Sequence, residues 1–456
     1  MCMPVTANID YLKGLLIRWR IGAGRICVKG ALTLGKGRGP MKVLQSLIPI
    51  CNRRREKVAK AYRAARVVDG ISEQPVEDGV VAVDDENISS VGAAADLPAD
   101  MDVVDLGDVT LLPGLIDAHV HLVWDASAAP HEVVASESRV LTALRCARNA
   151  VLHLRAGVTT VRDTGATDAL SVDLARAVEL GLIPGPRIVP AGRVIAMTGG
   201  HAWFLGREAD GSDAVRHAAR EELKGGASCI KFMASGGIYG GAEEPGSPQL
   251  TVEEMRAGVE EAHKAGCKVA AHAYSVAAIS NALEAGVDSI EHGSFLDIET
   301  AERMREGGVY LVPTISVYAA MNAKGPELGA PDYILRKTPE VLNASREAFQ
   351  LALEAGVPIA AGTDCGAPGH PHGTLPEELR LMVEAGATPM QALRFGTATA
   401  AELLSIGDEL GTLEPGKKAD IVAVAGDPLE DIKALREVRL VLRGGVEFRS
   451  ATETEA

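Results

Sequence analysis

Two histidines, His119 and His121, stand two residues apart in the apolar segment LLPGLIDAHVHL. On a strand, such residues leave the same face, so both imidazoles reach one ion. A lone HxH pair is common by chance. This pair gains weight from four further polar residues, each closing a short run of apolar or small residues before a turn: Lys231 in ASCIKFM, His272 in KVAAHA, His292 in DSIEHG and Asp364 in PIAAGTD. Gathered in one pocket, four imidazoles, an amine and a carboxylate would lose hydration with nothing in return. A metal resolves this. The nitrogen and oxygen mixture suits zinc or another first-row divalent ion, and six donors exceed what one tetrahedral zinc accepts. Two ions sharing a bridge are the simpler count.

Bringing together residues up to 245 positions apart needs an architecture that collects strand ends. Buried-type strands are expected at Leu115–His121, Thr159–Asp163, Arg187–Ala191, Ser228–Met233, Lys268–His272, Asp288–Glu291, Tyr310–Pro313 and Pro358–Thr363. Between them lie amphipathic helical patterns such as SESRVLTALRCARNAVLHLRAG and TVEEMRAGVEEAHKAGC, several ending on a glycine suited to a helix C-cap. Eight β-α units in about 290 residues fit a parallel (β/α)8 TIM barrel, whose active sites form at the C-terminal strand ends. A doubly wound open sheet would want a Gly-rich phosphate loop after the first strand, where this chain has histidines.

Short β-branched runs precede and follow that insert, in ARVVDG and DGVVAVDDENISSVG and again in ADIVAVAGDP and VRLVLRGGVEF. The expectation is a small β-sandwich domain built from both chain ends, residues 57–112 and 406–456, around a barrel at 113–405. Residues 1–56 lack a sustained period and contain GKGRGP, which reads as a basic, disordered extension. Of the 456 residues, the first 60 carry 13 Lys/Arg against 2 acids, the remainder 33 against 59. That acidic body argues against nucleic acid as a partner. Seven scattered cysteines without a CxxC pair fit a reducing, cytoplasmic setting, and no apolar run is long enough for export or a membrane span.

The order HxH, Lys, His, His, Asp after strands 1, 4, 5, 6 and 8 resembles the amidohydrolase superfamily, specifically its members with a binuclear metal centre. The words PGLIDAHVHL, AGVTTVRDTG, TGGHA, IKFMASGG, AHAYS, SIEHG and AGTD are similar to the imidazolonepropionase-related branch, which includes Xaa-Pro dipeptidases (prolidases), Arg/Lys carboxypeptidases and ochratoxin-type amidases. The resemblance spans about residues 60–445. It implies that His119, His121 and Asp364 hold one Zn2+, that His272 and His292 hold the other, and that Lys231 bridges them as a carboxylated lysine, a carbamate formed with CO2. A protonated amine would be a poor ligand. Two ions about 3.5–4 Å apart activate a water and polarise a carbonyl. Asp364 would take the proton and hand it to the leaving amine. The implied reaction is hydrolysis of an amide or peptide C–N bond in a dipeptide (Xaa-Pro or Xaa-Arg/Lys) or an N-acyl amino acid.

Three residues are substrate candidates: His201 in MTGGHAWF, also a catalytic donor to the intermediate; Tyr274 beside His272; and Tyr239 in the loop GGIYGGAEEPGSP, for which a mobile exposed loop is the favoured reading. Arg162 and Asp163 would orient a ligand imidazole. His131, His153, His217 and His263 read as packing or solvent-facing helix residues, and His370 and His372 as a solvated loop. The alternatives are a deaminase or cyclic-amide hydrolase on the same barrel, which Lys231 disfavours, and a non-catalytic scaffold, which would have lost ligands. Analogy with the branch implies a homo-oligomer.

Overall fold

A computed structural model describes residues 59–98 and 101–449; the basic extension 1–56 lies outside the described residues. Strands from both chain ends join one mixed sheet. Its N-terminal strands are β1 (Lys60–Val67), β2 (Val76–Asp84), β3 (Asn87–Ala93), β4 (Asp102–Asp105) and β5 (Val109–Pro113). The parallel body supplies β6 (Leu115–Val120), β7 (Val158–Asp163), β8 (Arg187–Pro190), β9 (Val194–Ala196), β10 (Gly206–Glu208), β11 (Cys229–Met233), β12 (Lys268–Ala273), β13 (Ser289–His292) and β14 (Tyr310–Val312). The chain returns to the end sheet as β15 (Ile421–Ala425), β16 (Val438–Arg443) and β17 (Val446–Arg449).

The end sheet runs β17-β16-β15-β5-β1-β2-β3, with β4 also on β1. Its seam is the antiparallel pair β5·β15, from Pro113 opposite Ile421 to Val109 opposite Ala425. Strand alternation divides the seam between two cores. Leu111, Ala423 and Leu440 pack with Tyr62, Val81 and Leu442 in the sheet's own cluster. Leu112, Val422 and Val424 turn the other way, into the large core with Leu154, Val158 and Val161.

Seven of the eight expected strands form within a residue of their expected limits, and they are parallel. Hydrogen-bonded ladders group them into two arcs, β6-β7-β8 and β10-β9-β11-β12-β13-β14, and no continuous ladder closes a ring among the described residues. Two departures from expectation have local causes. The third strand is split: β8 pairs with β7, the chain turns at Gly192 (φ +72), and β9 pairs onward with β11 through Ile195 and Phe232. The eighth, Pro358–Thr363, is not a regular strand. It is attached by isolated bridges, Leu311 to Ile359 and Val120 to Cys365, and by Ala118 N–H donating to Ala361 O at 2.9 Å. Pro358 has no amide to offer, and the Thr363 amide goes to the side chain of Asp117 on β6, Oδ1 at 3.0 Å, instead of a backbone carbonyl.

Helices on the outside start where side chains can satisfy the free amides of a first turn. Thr251 and Glu254 form a reciprocal capping box, Ser275 accepts from Ala278 N and Asp297 from Thr300 N. The helix Val276–Ala285 ends on left-handed Gly286. Such fixed ends hold each strand–turn–helix unit in register, so the residue closing each strand points where the next loop begins.

Candidate metal centre and active site

His119, His121, Lys231, His272, His292 and Asp364 all line one cavity at the C-terminal ends of the parallel strands, and all are buried. Asp364 Oδ1 lies 3.7 Å from His119 Nε2 and 3.6 Å from His121 Nε2. His119, His292 and Asp364 present donor atoms within 4.8 Å of one another. The imidazole centroids are 5.4 Å apart for His119 and His121, 5.1 Å for His119 and His292, and 4.7 Å for His272 and His292. Asp364 Oδ1 is buried with no hydrogen-bond partner. An orphaned carboxylate oxygen facing two ring nitrogens suits a cation between them, so the donor set fits divalent metals.

The outward nitrogen of each strand-end histidine is held by a partner. Glu291 Oε2 takes His119 Nδ1 at 2.7 Å, and Gly165 O takes His121 Nδ1 at 2.8 Å. His292 Nδ1 is 2.8 Å from both Thr314 Oγ1 and Tyr318 Oη. With Nδ1 donating, Nε2 keeps its lone pair for the cavity. His272 is turned differently, its Nε2 donating to Gly236 O at 3.2 Å, which leaves Nδ1 as the lone-pair nitrogen. Glu291 is itself fixed by fully buried Arg162, whose guanidinium donates to Glu291 Oε1 at 2.7 Å, to Ser289 Oγ at 3.1 Å and to Ala118 O at 2.6 Å. Arg162 and Asp163 thus lie behind the centre, Asp163 accepting from the amides of Leu122 and Gly165. Glu291, Thr314 and Tyr318 were not among the expected residues. Glu291 adjoins His292 in SIEHG, and a buried acid beside a candidate ligand is the one signal that pointed to it.

Electrostatics prepares the set for metal. Burial pushes His119, His272 and His292 well below the usual imidazole range and His121 down to about 3, so all four are neutral and able to ligate. Burial also pulls Lys231 down to about 8, and it pushes Asp364 up to about 8. Desolvation is the largest cause for both groups, and the charge each presents to the other offsets part of it. His292 (φ +72) and Asp364 (φ +53) also occupy the left-handed region that side chains disfavour, strain of the kind that gathers at functional sites.

Residues 110–447 match the amidohydrolase family. The chain belongs to that family. It is 32% identical over 419 residues to an ochratoxinase of Aspergillus niger, covering 82% of this chain and 84% of that one. A solved Xaa-Pro dipeptidase with methionine bound in its active site is 35% identical, with TM-score 0.80, over 86% of this chain and 100% of its own. A prolidase complexed with N-methylphosphonate-L-proline is 34% identical, also with TM-score 0.80 and the same coverage.

In this amidohydrolase the three expected substrate residues also face the cavity. His201 stacks on His272 at 4.3 Å, and Glu243 Oε1 takes its Nδ1 at 2.7 Å, which leaves Nε2 for a substrate group. Gly237 lies flat against that ring: a Cβ there would fall 2.2 Å from His201 Cε1, so any side chain would evict the imidazole. Tyr274 stacks on His292 at 5.1 Å and its hydroxyl meets that of Tyr318 at 2.7 Å.

Tyr239 corrects an expectation. Its loop is not an exposed one at this point: Tyr239 is buried against Trp124, with centroids 5.0 Å apart. Buried Lys337 pins the loop, donating to Gly240 O at 2.7 Å and to the carbonyls of Gly237 and Glu243. His370 and His372 are corrected likewise, since both are buried. Their hydrogen bonds to Thr363 O (3.1 Å) and Trp124 O (3.0 Å) hold the ring nitrogens where a solvated loop would leave them to water. His153 is buried as well, while His217 and His263 are exposed and pair with Glu221 and Asp288. Half-buried His131 packs on Phe204 at 5.4 Å.

Proposed function

We propose that this amidohydrolase cleaves the amide bond of a small substrate with a free carboxylate, an Xaa-Pro or Xaa-Arg/Lys dipeptide or an N-acyl amino acid. The observation that carries this reading is the convergence of all six strand-end donors on one cavity walled by Tyr239, Tyr274 and His201. His119, His121 and Asp364 would hold one divalent ion, with zinc the proposed metal, and His272 and His292 a second. Lys231 would join the two as its carbamate, whose two oxygens suit a bridge. When bound, such ions supply water activation at neutral pH and polarisation of the scissile carbonyl.

The chain's own residues do the rest. Asp364 receives the proton of the attacking water and returns it to the leaving amine nitrogen. Glu291 and Arg162 fix the ring of His119, and Tyr318 and Thr314 that of His292. His201, steadied by Glu243, orients the substrate carbonyl or carboxylate, and Tyr239 and Trp124 wall the cavity from water.

The same reading takes the two parallel arcs and residues 358–363 as a closed (β/α)8 barrel at 113–405. The end sheet becomes a β-sandwich of 57–112 and 406–456, and an experimental structure tests both. A cytoplasmic homo-oligomer belongs to it too, checked by light scattering. No helix among the described residues is long and apolar enough to cross a membrane. The decisive experiment is a panel of dipeptides varied at the C-terminal residue, with aliphatic and aromatic N-acyl amino acids, on zinc-loaded protein. Release of free amino acids supports the reading. Ammonia release without peptide cleavage would move the chain to deaminase chemistry.

A further inference from the structure

A second cluster of metal-ligating side chains lies outside the site described above. His153 comes from the helix Arg139–Arg155, and Cys365 and His372 from the segment after the irregular eighth strand; all three are buried. Cys365 Sγ is 3.4 Å from His153 Nε2 and 3.2 Å from His372 Nδ1, and the two nitrogens are 3.1 Å apart. Ligands on one tetrahedral zinc, with bonds of about 2.0–2.1 Å to nitrogen and about 2.3 Å to sulfur, are separated by about 3.3–3.6 Å. The three donor atoms already form nearly that triangle.

The protons make the stronger case. His372 Nε2 lies 3.0 Å from Trp124 O, and a carbonyl only accepts, so Nε2 carries the hydrogen and Nδ1 a lone pair. His153 Nδ1 is buried without a hydrogen-bond partner, 4.0 Å from Asp117 Oδ2. If His153 carries its hydrogen on Nε2 to bond His372, the bare lone pair on Nδ1 is left facing a carboxyl oxygen. With the hydrogen on Nδ1, Nε2 and His372 Nδ1 turn two lone pairs on each other, and the single thiol hydrogen satisfies only one. Either neutral arrangement buries a repulsion. One cation removes it, because thiolate and both lone pairs then become ligands while the His153 N–H faces Asp117.

We propose that His153, Cys365 and His372 form a separate mononuclear site for a thiophilic ion of the zinc class. Asp117 lies beyond the His153 ring as Glu291 lies beyond that of His119, but at 4.0 Å, outside hydrogen-bond distance. The site would fasten the helix Arg139–Arg155 to the chain segment that begins one residue after Asp364. Its role is positional, because none of the three residues lines the cavity of the strand-end centre.

Cobalt substitution tests this on the full chain. Thiolate ligation to cobalt gives a near-ultraviolet charge-transfer band that the sulfur-free strand-end centre cannot produce. Wild-type protein should show the band and bind about three ions per chain. Cys365→Ser should lose the band and about one ion, and Lys231→Ala should keep the band. X-ray absorption on zinc-loaded Lys231→Ala protein should find one sulfur among the neighbours of the remaining ion, a measurement that does not need Cys365→Ser to fold. No band in cobalt-loaded wild-type protein, a full band in Cys365→Ser, or a sulfur-free zinc shell in Lys231→Ala would each overturn the proposal. Because Lys231→Ala leaves this site intact, failure here and failure of the strand-end reading are distinguishable.

Discussion

The strand-end centre and the second cluster share a histidine-rich composition and near-complete burial, yet they are assembled in different ways. At the strand ends, the ligands come from the ends of four parallel strands, His119 and His121 together from the first, and from Asp364 after the irregular eighth, with outward nitrogens held by Glu291, Gly165, Thr314 and Tyr318. In the second cluster the donors come from a helix and an irregular segment, and one outward nitrogen, His153 Nδ1, has no hydrogen-bond partner. A centre that must bind and release substrate needs rigid orientation of every ring. A site that only braces the chain tolerates a looser second layer.

Substitutions can break that contrast or sharpen it. The largest effect belongs to Lys231→Ala, which should reduce amide hydrolysis to background and empty the strand-end centre, read by metal analysis and turnover; an active variant would mean the bridge is misplaced. Asp364→Asn should retain the fold and lower kcat by about 10²–10⁴-fold, the usual range for a lost general acid and base, with a smaller change in KM. Glu291→Gln removes the charge behind His119 and should weaken metal affinity or activity by roughly 10–100-fold, measured by competition with a chelator. An unaltered affinity would show that the ring is held by packing alone.

The smallest effect is on pH dependence, at His370, which burial pushes down to about 3. Between that value and an ordinary imidazole pKa of about 6.5, the unfolded state binds a proton that the native state refuses, so stability falls as pH drops through this window. His370→Gln should flatten the fall by up to about 1.4 kcal/mol per pH unit, seen in denaturant titrations at pH 5 and pH 7. An unchanged slope would mean that His370 titrates alike in both states.

How legible these features were depended on how local their determinants are. His119 and His121 could be read because a period of two puts both on one face. Lys231, His272 and His292 could be read because each ends an apolar run whose strand forms nearly where expected. The eighth strand was legible as a location and not as a conformation, since Asp117, 246 residues away, takes the Thr363 amide. Tyr239 was misjudged from its glycine-rich surroundings, because the lysine that pins its loop lies about a hundred positions further on, at Lys337. Glu291 was hidden by alternation: next to His292 it should face the opposite way, and the left-handed backbone at His292 lets both serve one centre.

By itself, the sequence determined which side chains terminate strands and therefore which six donors share a rim, because strand periodicity is carried by neighbouring residues. Only the tertiary structure decided which ring nitrogen each histidine keeps free, and that His153, Cys365 and His372 meet at all. Those outcomes rest on contacts between segments 22 to 219 residues apart, such as His292 with Thr314 and His153 with His372, and no local pattern encodes them.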